Sequence, residues 1–308
     1  MSKYGKKVLD KKNSYYYLKI AVFPILLLAC NMPNNKNTDL IEINLILIKA
    51  QHFMMGSDSA EIKFALHLCE LCETTAEEPM HKVKLNAYKI GKYEITNNEF
   101  CTFMNEYGSD RIKEGLYKGE IIVYDCSYEK NYWGIITENG VWKPVIGYEN
   151  HPIVFVTWYG ATEYCNWLSN KTGKKYRLPT EAEWECAAKA NENYHFAGSN
   201  TIDEVAWYDN QNPEPLIDGT THKVGLKKAN GYGIYDMSGN VWEWCSDWFG
   251  EYDIAFSENP IGPTSGEFKI IRGGGWYGNA RRNRINMRAV SLPNSADSKC
   301  GFRIVEEI

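Results

Sequence analysis

The stretch that decides the fold is Arg272 to Arg303, which reads RGGGWYGNARRNRINMRAVSLPNSADSKCGFR. It contains residues that dictate backbone shape or fill a core: three consecutive glycines, a tryptophan, a proline and a closing Gly301-Phe302-Arg303. Glycine adopts positive φ, proline fixes φ, and aromatic side chains pack. The residues between them follow neither helical nor strand periodicity. The stretch is therefore predicted to be a surface loop held on a rigid frame.

The frame and the residues between its members have different predicted roles. Arg284 and Arg288 sit at frame positions and are predicted to form structural ion pairs or to bind carbonyls, whereas Arg281 and Arg282 are the better contact candidates. The residues expected to hold the loop in place are Trp276, Ala280, Arg284, Arg288 and Phe302. The residues predicted to contact a ligand are Tyr277, Gly278, Asn279, Arg281, Arg282, Ala289, Val290, Ser291, Asp297 and Ser298.

Five further motifs precede this stretch. They are FMMGS at 53–57, KYEITN at 92–97, WYGATEYC at 158–165, RLPTEAEWE at 177–185 and YDMSGNVWEW at 235–244. In this order, residues 45–308 resemble the formylglycine-generating enzyme (sulfatase-modifying factor) family. The resemblance implies an α+β, C-type lectin-like fold of the formylglycine-generating-enzyme subtype, loop-rich, with short helices and small antiparallel sheets.

The chemistry of that family depends on two cysteines shortly after its RGG motif, which bind copper as thiolates. The matching positions in this chain are Gly278 and Asn283. Neither side chain can supply a thiolate, so no copper and no oxidation of a sulfatase cysteine are expected. The six histidines also lack the HxxxH spacing of the iron-binding, ergothioneine-type relatives.

A fixed frame with variable-looking residues between its members resembles a third branch of the same fold, the variable proteins of diversity-generating retroelements. In that branch a C-terminal segment, here about 276–300, is rewritten by adenine-targeted mutagenesis to alter ligand choice. Tyr, Ser and Asn on supported loops suit adaptable recognition of a protein or glycan. Two alternatives remain: a metal-dependent enzyme of the family that uses a different site such as Cys300, and a structural lipoprotein of a secretion or gliding apparatus.

The amino terminus carries lysines followed by the apolar run Ile20 to Leu28 and then Ala29-Cys30. A basic start, a short apolar run and a small residue before cysteine are typical of a bacterial secretory signal. The run is too short to span a bilayer, which needs about 20 apolar residues. Residues 1–29 are predicted to be a lipoprotein signal peptide and 30–44 a tether acylated at Cys30. We therefore expect the mature protein to be held by a lipid anchor in the bacterial envelope, at the outer surface. The alternative is an uncleaved amphipathic anchor.

Two metal sites are candidates. The resemblance implies calcium bound by side chains of Asp236 and Glu243 and by carbonyls of Gly239 and Val241, an oxygen set that suits a hard cation. The alternative is that Asp236 and Asn240 cap turns. The second candidate is zinc, at the cluster of His67, Cys69, Cys72 and His81. A single CxxC is a weak signal, and a local disulfide or free thiols compete with it.

Composition limits the partners. A net charge of -5 gives no general field for polyanions, so no nucleic acid is expected. Free buried thiols are an alternative to disulfides for three cysteines inside aromatic motifs: Cys165, Cys186 and Cys245.

Local patterns also predict secondary structure. Thr180 with Glu183 predicts a capping box, and the glutamates at 181, 183 and 185 are expected to be caps and ion pairs. Residues 152–169 predict a strand at 154–156 and then a helix with one buried face, made by Ala161, Tyr164, Cys165 and Leu168.

Overall fold

A computed structural model of the chain describes residues 43–68, 75–125, 134–209, 220–253 and 257–308. The predicted signal peptide, the lipidated Cys30, and Cys69 and Cys72 of the zinc candidate lie outside the described residues. In the described part, no helix has both the length and the apolar character needed to cross a membrane. Its helices are α1 (Ser59–Leu68), α2 (Asn97–Tyr107), α3 (Trp158–Thr172), α4 (Glu181–Lys189) and α5 (Ile202–Val205).

The described residues also form short strands. They are β1 (Leu45–Ile48), β2 (Gln51–Met55), β3 (His81–Leu85), β4 (Tyr88–Gly91), β5 (Ile135–Glu138), β6 (Val141–Pro144), β7 (Tyr176–Arg177), β8 (Trp242–Trp248), β9 (Ser257–Glu258), β10 (Lys269–Arg272), β11 (Ala289–Ser291), β12 (Cys300–Gly301) and β13 (Val305–Glu307). The described sheets have the orders β1-β4-β13-β7, β11-β10-β8-β12, β2-β3-β9 and β5-β6. The α+β class with small sheets is confirmed, although β12 runs parallel to β8 and β9 parallel to β3.

The last strand closes the first of these sheets. In β13, Val305 pairs with Ile90 of β4 on one side and with Arg177 of β7 on the other, antiparallel in both cases. The carboxyl end of the chain therefore occupies an interior strand, between elements that precede it by more than a hundred residues.

The helix starts follow from local sequence. Thr180 accepts a hydrogen bond from the backbone N–H of Glu183, whose carboxylate accepts one from the Thr180 N–H, so the predicted capping box is confirmed. Thr157 caps α3 through its side chain alone, which accepts a hydrogen bond from the N–H of Gly160. The predicted buried face of α3 is confirmed as well.

The predicted strand at 154–156 is wrong. Val156 makes only an isolated bridge, with Val123, and no strand forms between 152 and 157. The cause is Phe155, whose φ of 58° lies in the left-handed region and turns the chain out of an extended path. The apolar run at 154–156 reflects burial of Val154 and Val156 on either side of this turn.

Aromatic side chains fill much of the core. Phe100 stacks on Tyr164, and Phe302 packs edge-on against both of them. Cysteines contribute as small apolar groups: Cys165, Cys186 and Cys245 are buried free thiols, which confirms that reading. Burial raises the pKa of the Cys186 thiol to about 12, so it is not ionised at neutral pH.

Candidate ligand-binding site

The frame arginines of the 272–303 stretch are buried beneath it. Arg284 donates from both terminal nitrogens to the two carboxylate oxygens of Glu77, at 3.0 and 2.6 Å. Arg288 donates from Nε and Nη2 to the carboxylate of Glu181, at 2.7 and 2.8 Å. All four side chains are almost inaccessible to solvent. The prediction that Arg284 and Arg288 form structural ion pairs is confirmed.

A third arginine joins the stretch to α4. Arg272 donates from Nη1 to Glu181 at 3.1 Å and from Nη2 to Glu185 at 2.5 Å. Glu183, on the same helix, pairs with Arg177 through two hydrogen bonds, at 2.6 and 2.8 Å. The three glutamates of α4 are therefore caps and ion-pair partners, as predicted.

Trp276 fastens the start of the stretch to its end. Its backbone N–H donates to the carbonyl of Asn240 at 2.7 Å, and its indole N–H donates to the carbonyl of Ser298 at 3.1 Å. The ring itself is buried. Residues 276 and 298 are thereby held together, although 21 residues lie between them.

The glycine run makes a close turn that side chains would block. Gly273 and Gly274 both have positive φ, 95° and 75°. A Cβ added to Gly274 would lie 2.3 Å from Oδ1 of Asn283, well inside van der Waals contact. Glycine is therefore required here by its conformation and by the space available.

The ten predicted contact residues divide by exposure. Tyr277 is 56% exposed and Val290 is 41% exposed. Arg282 and Asp297 are also exposed, and Asn279, Ala289, Ser291 and Ser298 are half-buried. Gly278 and Arg281 are buried, so these two do not present a side chain to solvent in this conformation.

Sheet order separates the exposed residues into two patches. Ala289, Val290 and Ser291 form the edge strand β11, whereas the end of the stretch leads into β12 at the opposite edge. Neighbouring strands lie about 4.8 Å apart, so three spacings place these edges roughly 14 Å from each other. Tyr277 belongs with the second edge, because the ammonium of Lys299 lies 4.4 Å from its ring centroid.

Lys299 and the backbone of Asp209, which donates to the carbonyl of Gly278 at 2.9 Å, border this patch and were not among the predicted contacts. The hydrophobic periodicity of the sequence does not indicate that either residue lies at this surface. The frame could have suggested Lys299, since it directly precedes the closing Cys300-Gly301.

Residues 278 and 283, which the family resemblance matches to copper-binding cysteines, do lie side by side. Asn283 donates from its amide to the carbonyls of Gly278 and Asn279, at 3.1 and 2.7 Å. A Cβ on Gly278 would be 3.4 Å from that amide nitrogen. The pair closes a turn, and neither side chain carries sulfur. Cys300 is buried, and burial raises its pKa well above the ordinary value, so it is a poor nucleophile.

The calcium candidate does not fit the geometry. Glu243 accepts hydrogen bonds from Nε and Nη2 of Arg303, at 2.6 and 2.7 Å, and from the indole N–H of Trp184, at 2.8 Å. Both oxygens of Glu243 are thus engaged with a guanidinium, whose single positive charge balances that of the Glu243 carboxylate. Asp236 accepts from the N–H of Gly225 at 2.7 Å, and burial raises its pKa to about 6.

Of the zinc candidate, His67 and His81 belong to the described residues. Nδ1 of His81 contacts the carbonyl of Pro79 at 2.9 Å, and its ring packs against Tyr252. Among the described residues, no three His, Cys, Asp or Glu side chains converge as metal ligands.

The motifs and the fold described above are shared with known proteins. The family described as "Sulfatase-modifying factor enzyme 1-like domain" matches residues 32–308. The formylglycine-generating enzyme of Streptomyces coelicolor is 31% identical over 265 residues, which cover 75% of this chain and 82% of that enzyme. A serine/threonine-protein kinase pkn1 of Chlamydia caviae is 33% identical over 238 residues, and these cover 75% of this chain. The matched part spans only 35% of the kinase.

Among solved structures, Treponema denticola variable protein 1 superposes with a TM-score of 0.65 at 26% identity. The match covers 87% of this chain and 96% of that protein. The formylglycine-generating, C-type lectin-like fold expected from the sequence is confirmed.

Proposed function

We propose, for a chain that belongs to the sulfatase-modifying factor enzyme 1-like family, that it binds a ligand through residues 276–300 and does not oxidise a sulfatase cysteine. The observation that carries this proposal is the contrast within one stretch. Arg284 and Arg288 are buried and paired, while Tyr277, Arg282 and Val290 point outward. Side chains that make no core contact can change without loss of the fold.

The patch around Tyr277 is the better binding surface of the two. It combines an exposed aromatic ring with charges of both signs at Arg282, Asp297 and Lys299. Aromatic rings give a large contact area at low entropic cost, and the charges supply hydrogen bonds of either polarity. A protein or a glycan is the ligand class that such a patch suits.

The proposal includes display at the cell surface and diversification. Acylation at Cys30 would anchor the chain to the outer face of the envelope, where recognition of an external ligand is useful. Rewriting of the segment by a retroelement would then change ligand choice. Support comes from the likeness to Treponema denticola variable protein 1, whose name describes variability in that protein.

The test of diversification is to sequence the encoding locus and its surroundings in many isolates. The expected result is a near-copy of the 276–300 coding segment that differs at adenines, beside a reverse transcriptase gene. Substitutions among isolates should fall at positions such as 277, 282, 290 and 297, and spare 276, 284 and 288. An invariant segment with no such copy would contradict the proposal.

The test of binding uses the folded protein on glycan and envelope-protein arrays. A variant that carries Tyr277→Ala, Arg282→Ser and Asp297→Asn should lose or change its array profile and keep its unfolding temperature. The matched control is Glu114→Gln, an exposed residue outside the 272–303 stretch, which should leave the profile unchanged. An unchanged profile in the triple variant would place the binding surface elsewhere.

A second candidate, an enzyme of the family that uses a different site, is favoured by the likeness to the Streptomyces coelicolor enzyme. It predicts one copper or iron per chain in the purified protein and turnover that is lost in Cys300→Ser. Absence of metal-dependent turnover would exclude this candidate.

A further inference from the structure

Leu116 lies at the tip of a loop that is closed at its base. The backbone N–H of Ile112 donates to the carbonyl of Glu120, and the N–H of Gly119 donates to the carbonyl of Ile112, both at 2.9 Å. The side chain of Leu116 is 89% exposed. Two hydrogen bonds thus hold an apolar side chain almost wholly in solvent, which leaves hydrophobic stabilisation available to a surface that covers it.

A row of aromatic rings lies beside this loop. The ring centroid of Tyr117 is 4.9 Å from that of Tyr159 and 5.6 Å from that of Trp158, and Trp158 stacks on Trp248 at 6.4 Å. The ammonium of Lys269 lies over both tryptophans, 3.9 and 3.8 Å from their ring centroids. Trp158 is buried, whereas Tyr117 and Tyr159 are half-buried. The two tyrosines therefore present part of each ring to solvent on a packed support.

Leu292 extends this surface. The backbone N–H of Trp158 donates to the carbonyl of Pro293 at 3.1 Å, so Leu292, one residue earlier, lies beside the aromatic row. Leu292 is 41% exposed and is not one of the ten predicted contact residues. It directly follows β11, at the edge of the sheet opposite β12 and the Tyr277 patch. The name Leu116 face is used below for four residues: Leu116, Tyr117, Tyr159 and Leu292.

The charges on the loop of the Leu116 face cancel. Lys113 and Lys118 are matched by Glu114 and Glu120. Burial, and then the carboxylate of Glu120, raise the pKa of Tyr159, so its hydroxyl is uncharged at neutral pH. Apolar and tyrosine side chains without net charge suit the interface of a lipid bilayer, where amphipathic rings lie at the level of the headgroups.

The tether brings a bilayer within reach of this face. Cys30, which the proposed function takes as the acylated residue, is 13 residues before Ile43, where the described residues begin. A segment of that length spans at most roughly 45 Å, and a domain of this size has a radius of gyration of about 18 Å. The domain can therefore turn any of its faces to the membrane, and the short tether gives that face a high effective concentration of lipid.

We propose that the Leu116 face lies on the lipid bilayer, with the Leu116 side chain among the headgroups; this inference rests on the lipid anchor of the proposed function. A few apolar side chains bind a membrane weakly by themselves, but the anchor already holds the domain beside it. Contact at this face would keep the opposite edge of the sheet, with Tyr277, away from the membrane and open to an external ligand.

The experiment compares hydrogen–deuterium exchange of the acylated chain on phosphatidylcholine vesicles with that of the Cys30→Ser chain in buffer without vesicles. The backbone amides of residues 114–118 should exchange at least about fivefold more slowly on the vesicles. Residues 144–148 are the internal control, because Ile146 is 93% exposed and lies outside the face, and they should exchange alike in both states. Equal exchange of residues 114–118 in the two states would overturn the proposal.

The composition and source of the membrane separate the alternative occupants. Addition of phosphatidylglycerol to the vesicles should leave the exchange unchanged, because the loop has no net charge. Protection that requires the anionic lipid would assign the contact to Lys113 and Lys118 and would overturn the proposal. Protection in native envelope membranes but not on pure lipid would point to a protein occupant, with the same consequence.

Variants connect the protection to the apolar side chain. Leu116→Asp should abolish it, and Ile146→Asp, the matched control at a similarly exposed apolar residue, should retain it. Both side chains are exposed enough for the fold to tolerate the change, as unfolding temperatures would show. Equal protection in the two variants would overturn the proposal.

The intact mass of the protein distinguishes this failure from failure of the proposed function. An acylated chain without protection at residues 114–118 would overturn the membrane contact alone. A chain without an acyl group would overturn the lipid anchor, and the contact with it.

Discussion

Arg303 and Glu243 form a wholly buried, two-pronged ion pair, with Nε–Oε2 and Nη2–Oε1 distances of 2.6 and 2.7 Å. The same guanidinium donates to the carbonyls of Gly91 at 2.9 Å and Tyr235 at 3.0 Å. One side chain thus connects the end of the 272–303 stretch to β4, to the 235–243 loop and to β8. Its removal would leave Glu243 charged and unpaired in the interior.

Replacement of Arg303 by Met is therefore expected to lower the free energy of unfolding by about 3–5 kcal/mol. Urea denaturation followed by tryptophan fluorescence measures this loss. The double variant with Glu243→Gln should recover part of it, because the unpaired charge is gone. Arg282→Met, at an exposed position, is the control and should change stability by less than about 0.5 kcal/mol. Equal effects at 282 and 303 would contradict the role given to the buried pair.

Gly274→Ala should be far more damaging than Gly233→Ala. Both glycines have positive φ, 75° and 79°, so alanine is strained at each. Only at 274 would the added Cβ also collide, 2.3 Å from Oδ1 of Asn283, whereas nothing lies within 4 Å at 233. Backbone strain is common to both variants, so the difference between their thermal unfolding midpoints measures the effect of the collision at residue 274. Similar midpoints would mean that the turn can widen around residue 274.

Thr180→Ala should destabilise the protein by about 1 kcal/mol through loss of a helix cap. Thr201 is the matched control, since it stands at the N-cap of α5 without a side-chain capping hydrogen bond. Chemical denaturation of both alanine variants should show a clear loss at 180 and almost none at 201. A comparable loss at both positions would rule out the capping hydrogen bond as the cause.

The stability of the protein should fall as Asp247 ionises. Its pKa in the folded state, about 7, lies above that of an unfolded aspartate, about 3.9, so the folded state holds the proton more tightly. The stability from this carboxyl is complete below about pH 4 and is lost as the pH rises through about 7. Asp247→Asn keeps an acceptor oxygen for Glu181 and Ser246 but has no proton to lose. Its stability relative to the unaltered protein should therefore rise between about pH 4.5 and pH 8, as urea midpoints would reveal; a constant difference would contradict the raised pKa.

Local and motif-level features could be predicted from the sequence. The Thr180 capping box depends on residues three positions apart, and the arginines at 284 and 288 fall in a stretch that begins and ends with the glycine and aromatic residues of the frame. The capping box could be predicted because its cause is contained in a short stretch. For the two arginines only the structural role could be predicted, because their partners Glu77 and Glu181 lie 207 and 107 residues away. The fold class followed from the order of the motifs, which the family comparison confirms.

Features that depend on distant pairing could not be predicted. The partner of Glu243 is Arg303, 60 residues later, and no local pattern distinguishes that pairing from calcium coordination. The opposite-edge positions of β11 and β12 follow from sheet order, so the exposed contact candidates come from one stretch of sequence but form two patches. Phe155 adopts positive φ because tertiary packing outweighs its intrinsic preference.

Because β13 lies inside its sheet, this sheet can be completed only after residues 276–300 have been synthesised. Val305 to Glu307 complete the sheet between β4 and β7, and they are translated only after residues 276–300. A chain that stops early, through a nonsense codon or a shifted frame in that stretch, leaves two strands without their shared neighbour and exposes unpaired edges. Such products are candidates for aggregation or proteolysis. Termination within residues 276–300 therefore removes β13 and leaves this sheet incomplete, whereas a substitution at an exposed residue such as Tyr277 leaves β13 in place.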